Sequence, residues 1–151
     1  QAAGLLLISP AGGYAQSEKR EQVRSERLAS LDKLGVGGLA QRIDQRLLSP
    51  AADEAAREWV RWSTARLHAS GYRQAVNMLC DSDLARHAPA PVPTFVAVGE
   101  HDVVTPPAAC ERWASVYQAP FALLPGAGHA SPTEQPGAVV SWIVHHTSNL
   151  P

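Results

Sequence analysis

Three short apolar runs, separated by stretches of helical periodicity, organise this chain. Residues 4–8, Gly-Leu-Leu-Leu-Ile, are closed by Ser9-Pro10-Ala11-Gly12-Gly13. A continuous apolar run of that length, with turn residues after it, predicts a strand buried on both faces. The second run, residues 94–99, follows a Pro-rich lead-in at 88–93 and ends in the polar turn Glu100-His101-Asp102. The third, residues 121–124, starts after Pro120 and stops at Pro125-Gly126. Between the first two, residues 17–34 place Val23, Leu28, Leu31 and Leu34 near helical spacing until Gly35 stops the pattern. Leu39, Ile43, Leu47 and Leu48 form a second stripe. Ser49-Pro50 then fits an N-cap followed by proline at the first helical position, opening a helix to about His68 with Trp59 and Trp62 on one face. Ser70-Gly71 punctuates, and residues 72–80 predict a last short helix. After the second strand come a helix from Thr105-Pro106-Pro107 to about Tyr117 and one from Pro136 with Val139, Val140, Trp142 and Ile143 as its apolar side.

Strand alternating with helix predicts an α/β fold with a parallel sheet. The organisation expected is a core strand and loop at 1–13, a lid of four helices at 14–87, and the rest of the core at 88–151. Composition narrows the partners. Of the 151 residues 45% are apolar and 18% charged, and 13 Lys+Arg against 14 Asp+Glu leave a net charge of −1. Such a balance lacks the basic excess that tracks phosphates, so no nucleic acid is expected. No apolar stretch approaches the roughly 20 residues of a membrane span, and no basic segment precedes the first run, so neither a membrane protein nor a secretory precursor is expected. Cys80 and Cys110 have no metal-ligand spacing and read as reduced, half-buried thiols of a cytoplasmic protein, with no metal and no cofactor. The chain starts at Gln1-Ala2-Ala3, without an initiator Met, directly before an apolar strand, which reads as a piece of something longer.

Two turns carry the candidate chemistry, each directly after a predicted parallel strand, where open α/β sheets place their ligands. In GEHDVVTPP (residues 99–107) a glycine ends the strand and an acid stands before a proline-started helix. In PGAGHASPTEQP (residues 125–136) a histidine sits in a glycine-flanked loop. An acid on one loop and a histidine on the next make the orienting-acid and general-base pair of a nucleophile triad. Glu100 and His101 compete with Asp102 for the acid turn. Glu134 reads as a helix-start acid, and the adjacent His145 and His146 point about 100° apart on a helix, too divergent for one metal ion.

These two motifs resemble the acid and histidine motifs of the α/β-hydrolase superfamily, and GLLLISPAGGY (residues 4–14) resembles the strand after its nucleophile helix. The resemblance covers essentially the whole chain and implies the C-terminal part of an α/β-hydrolase fold: three parallel strands, flanking helices and an inserted helical cap. It implies Asp102 as the triad acid, three residues after the glycine, and His129 as the general base. The nucleophile elbow Gly-x-Ser-x-Gly occurs nowhere in the chain. The expected partner is therefore a segment or second polypeptide carrying that elbow, the oxyanion hole and the first five strands, which would cover an otherwise unpaired sheet edge. Leaving Leu5 to Ile8 against water would forfeit roughly 1.5 to 3 kcal/mol each.

Within the superfamily the chain is most similar to the 3-oxoadipate enol-lactonase group, through residues 77–84 and the Val-Pro-Thr lead-in to Gly-x-x-Asp-x-x-Thr-Pro-Pro. That implies a serine hydrolase of an ester or lactone, an enol-lactone of aromatic catabolism in the narrower form. Carbon–carbon bond hydrolases, small esterases and cofactor-free haloperoxidase-like proteins share the motifs, and a binding module that has lost its nucleophile is the alternative of another class. For the substrate, Trp59, Arg61 and Trp62 are the candidate contacts, with Arg57 and Arg66 on the same predicted helix as further cations.

Overall fold

The computed structural model describes residues 2–148 and 150. Three parallel strands, β1 (Leu5–Ile8), β2 (Thr94–Gly99) and β3 (Phe121–Leu124), lie in chain order in one sheet, with Leu5 beside Thr94 and Val96 beside Phe121. The side chains of β2 alternate between the two faces, as strand geometry requires. Val96 and Val98 pack on Cys110 and Ala114 of α5 (Pro107–Tyr117), while Ala97 packs with Leu124, Ala127 and Val139 of α7 (Pro136–Thr147). The sheet is thereby covered by a helix on each side, the arrangement expected from the strand–helix alternation.

Four α-helices and a short 3-10 turn at Leu84–His87 stand between β1 and β2; the α-helices are α1 (Arg20–Ala40), α2 (Asp44–Leu47), α3 (Glu54–Ala65) and α4 (Ala69–Asp81). Gly35 leaves helical geometry at φ 62°, ψ 175°, so the expected stop becomes a break within α1. A separate apolar cluster of Leu48, Ala56 and Val60, with Ile43, Leu47 and Ala52 around it, packs on Ala130 in the loop after β3. The helical insertion is thus seated on the histidine loop itself. No helix among the described residues is long and apolar enough to cross a membrane.

Several expectations change. β1 is half-buried along its whole length, because it is an edge strand among the described residues and β2 alone has neighbours on both sides. On α7, Val139 is buried but Val140 and Ile143 are exposed: positions 139, 142 and 146 share the side facing the sheet, and 140 and 143 turn away from it. His146 lies on that inner side, stacked at 4.1 Å on Phe95, while His145 is exposed. Both cysteines are fully buried free thiols rather than half-buried. Ser70 and Gly71 do not interrupt the chain but lie in the first turn of α4. The helix expected from Ser49 begins four residues later than the proline suggests. Its N-cap is Asp53, whose Oδ1 accepts from Ala56 N–H at 2.7 Å, while the Ser49 hydroxyl is buried with no partner among the described residues.

That difference is measurable by equilibrium denaturation. Asp53→Ala should lower stability by about 1 kcal/mol through loss of the cap. Ser49→Ala, which removes only an unpartnered hydroxyl, should cost clearly less or stabilise.

Candidate active site

The turn after β2 folds around the carboxylate of Asp102. Its Oδ1 accepts from Val104 N–H at 2.8 Å and Thr105 N–H at 2.9 Å. Oδ2 accepts from the Thr105 hydroxyl at 2.9 Å and lies 2.9 Å from His129 Nδ1. The side chain is wholly buried. An aspartate two and three residues before free amides makes such bonds locally, so the turn and the acid's orientation are one feature. Burial alone would raise the pKa of the carboxyl group, but the bonds from His129 and from Thr105 N–H, with the nearby Ser9 hydroxyl, outweigh it and lower the pKa to about 2. Asp102 is therefore ionised at neutral pH. An ionised carboxylate only accepts hydrogen bonds, so Nδ1 of His129 carries a proton and donates it, and Nε2 is the ring nitrogen turned away from Asp102.

His129 is held by the loop after β3. Gly99, the last residue of β2, lies under this loop: a Cβ there would stand 2.1 Å from the carbonyl oxygen of Gly128. Only glycine lets the two loops approach closely enough for the 2.9 Å contact between acid and base. His101 N–H donates to the carbonyl of Ala127 at 2.8 Å and Glu100 Oε2 accepts from Gly126 N–H at 3.0 Å. The two rivals for the acid position thus fasten the histidine loop, His101 through its backbone amide and Glu100 through its carboxylate, and both side chains are exposed. Nε2 of His129 has no hydrogen-bond partner among the described residues, and the side chain is 27% exposed.

No nucleophile accompanies the pair among the described residues. Ser131 is buried and its hydroxyl donates to the Gly128 carbonyl at 3.1 Å. Cys110 is also buried: that pushes its thiol up to about 11, and Sγ–H donates to the Thr105 carbonyl at 3.4 Å, so it stays protonated and unreactive. Thr105 is a residue that sequence reasoning missed. Its hydroxyl sits 2.9 Å from Asp102 Oδ2, 3.2 Å from Ser9 O at the end of β1 and 3.2 Å from His129 Nδ1. The Asp-x-x-Thr spacing, an acid followed by a hydroxyl one turn on, was the available signal.

The cap residues are placed differently from one another. Arg61 pairs with the buried Asp44 at 2.8 Å and with Glu54 at 3.1 Å, and Arg57 lies 3.5 Å from the same Asp44. The Arg61 guanidinium holds the Asp44 carboxyl below its ordinary range against the opposing effect of burial. Trp59 and Trp62 stack with centroids 5.0 Å apart on the exposed side of α3, opposite Ala56 and Val60, and the Arg66 guanidinium lies 3.6 Å from the Trp62 ring centre.

The fold is that of the solved structures to which the chain is similar. A thermophilic esterase from Thermogutta terrifontis, solved with malate bound, is 28% identical over 97% of this chain and 56% of its own, with a TM-score of 0.83. The enol-lactonase from Burkholderia xenovorans LB400 is 24% identical over the same shares, with a TM-score of 0.81. An esterase from Exiguobacterium antarcticum is 16% identical over 97% and 57%, with a TM-score of 0.80. The chain therefore spans little more than half the length of the solved structures it matches. None of the curated proteins matches it by sequence. The model of the alpha/beta hydrolase family matches residues 1–142, nearly the whole chain. A family model that covers nearly the whole chain, together with the three parallel strands and flanking helices, shows that the chain belongs to the alpha/beta hydrolase family.

Proposed function

We propose that this chain supplies the acid and the base of a serine hydrolase that cleaves a carboxylic ester or lactone, its nucleophile standing on a segment outside residues 1–151 that carries Gly-x-Ser-x-Gly. The observation that carries the reading is the 2.9 Å contact of His129 Nδ1 with the buried, ionised Asp102, which leaves Nε2 unpartnered and partly open. In this reading Nε2 takes the proton of the serine hydroxyl as it attacks the carbonyl carbon. The imidazolium that forms is stabilised by Asp102 and returns the proton to the leaving alkoxide. Water then repeats the cycle on the acyl-enzyme, giving the free acid and restoring the serine. Thr105 keeps Oδ2 directed at the imidazole and acts as a positioning residue.

The 28% identical esterase supports the ester class. The narrower substrate, an enol-lactone, rests on the likeness of residues 77–84 and 92–107 to the enol-lactonase group. Trp59 and Trp62 are the apolar contacts assigned to the substrate. Arg61, also assigned there, presents its guanidinium to Asp44 and Glu54, so its contribution is to hold the helix on which the tryptophans stand.

With p-nitrophenyl acetate as substrate for the protein together with its nucleophile segment, His129→Ala and Asp102→Asn should each lower kcat by about 10³-fold or more. Unchanged turnover in His129→Ala overturns the assignment of the base. A fluorophosphonate probe should label one serine, and peptide mapping should place it outside residues 1–151; a label on Ser131 would contradict the reading.

Asp102 also predicts a pH dependence. Its carboxyl group drops from the ordinary 3.8 to about 2 on folding, so its contribution is complete above about pH 4 and disappears as pH falls toward 2. The difference is worth about 2 kcal/mol. Denaturation of the parent and of Asp102→Asn should therefore differ at pH 5 by about that much more than at pH 2.

A further inference from the structure

The backbone on both sides of His129 is tied to the helical insertion, directly on one side and through a carboxylate on the other. On one side, Ala130 N–H donates to the carbonyl of Leu47 at 2.8 Å. On the other, Gly128 N–H donates to Glu134 Oε2 at 2.6 Å, while Oε1 of the same carboxylate accepts from Ser49 N–H at 2.8 Å. Leu47 and Ser49 lie in the turn that joins α2 to α3. Gly128 lies so close to this turn that a Cβ there would be 2.7 Å from Ser49 N. From the α3 side Arg57 holds the same turn, its Nη2 donating to the carbonyls of Ser49 at 3.3 Å and Pro50 at 3.1 Å.

We propose that Glu134 is a positioning residue that couples the α2–α3 turn to the general base, so that where the helical cap sits determines where His129 stands. The proposal rests on the hydrolase reading above. One carboxylate bridges two elements far apart in sequence, and each oxygen holds a backbone amide by a charge-assisted bond. A shift of the turn must therefore break one of these bonds or carry Gly128 with it. His129 follows Gly128 directly, and its ring is fixed at its far side by Asp102. Movement of the loop consequently lengthens the Nδ1 contact or turns Nε2 out of line with the nucleophile. A misplacement of about 1 Å at a reacting group costs on the order of 10²-fold in rate. Glu134 has no bond to the imidazole or to Asp102, so it works through position alone. The short α6 (Ser131–Glu134) places this carboxylate back beneath the loop it holds.

Glu134→Gln is the discriminating variant. It keeps one acceptor oxygen but sets an NH2 group against the second amide, donor facing donor. In the complete hydrolase, hydrogen exchange should show peptides containing Ser49 and Gly128 losing protection together. On p-nitrophenyl acetate, kcat should fall about tenfold or more with KM within about twofold. The acidic limb of the kcat profile should move to lower pH, because a looser Asp102 contact stabilises the imidazolium less. A residue that served only stability would lower the melting temperature and leave kcat and the limb of the folded enzyme in place, and that result overturns the proposal. Glu134→Asp keeps the charge on a stem too short to span both amides. It should show the same kcat loss with a folded protein, and parental kcat in this variant is equally fatal. The hydrolase reading fails separately, through absence of His129-dependent turnover in the parent; the exchange experiment then decides the coupling, and independent behaviour of the two amides refutes it.

Discussion

A buried carboxylate must be surrounded by donors, and the architecture around Asp102 follows from that requirement. Four hydrogen bonds reach its two oxygens: two from amides of its own turn, one from the Thr105 hydroxyl and one from His129. Three of these donors are local, so most of the cost of burying the charge is offset before the histidine arrives. The imidazole is then the long-range donor, with the Ser9 hydroxyl nearby. It completes an already oriented site, which is why the carboxylate can hold one tautomer and one ring direction.

Closeness of the loops is the second constraint. Gly99 lies against the carbonyl of Gly128, and Gly128 lies against the turn at Leu48 and Ser49. These two positions without a side chain let strand end, histidine loop and helical insertion meet in one place. Acidic side chains then secure the junction. Glu100 holds Gly126, Glu134 holds Gly128 and Ser49, and Asp44 holds Arg57 and Arg61 behind the turn. The apolar cluster of Leu48, Ala56 and Val60 on Ala130 gives the same junction its buried area. The helices between β1 and β2 are accordingly part of the frame that holds His129.

Much of this was legible in the sequence. β2 and β3 announce themselves as short apolar runs between Pro and Gly, and burial on both faces explains why β2 has no polar alternation. Placement directly after such runs singled out the two turns, but Glu100 and His101 competed with Asp102 there, and only the resemblance to the α/β-hydrolase motifs pointed to Asp102 and His129. The start of α3 was not legible, because Ser49-Pro50 carries a helix-start signal as good as Asp53 does. What decides between them is that Ser49 N–H is taken by Glu134, 85 residues later. The exposure of Val140 and Ile143 was equally hidden, since an apolar stripe on a helix does not say how much of it a three-stranded sheet covers.

The sequence by itself determined the strand–helix alternation and the placement of an acidic turn and a histidine turn after parallel strands. These depend on local properties: chain stiffness, side-chain period and turn chemistry. Only the tertiary structure decided that Thr105 is the third donor to Asp102, that Glu100 and Glu134 fasten the loop, and that Arg61 faces Asp44. Those roles depend on which backbone amides and charges are brought within hydrogen-bond distance by packing, and an isolated Glu, Thr or Arg carries no mark of the partner it will meet.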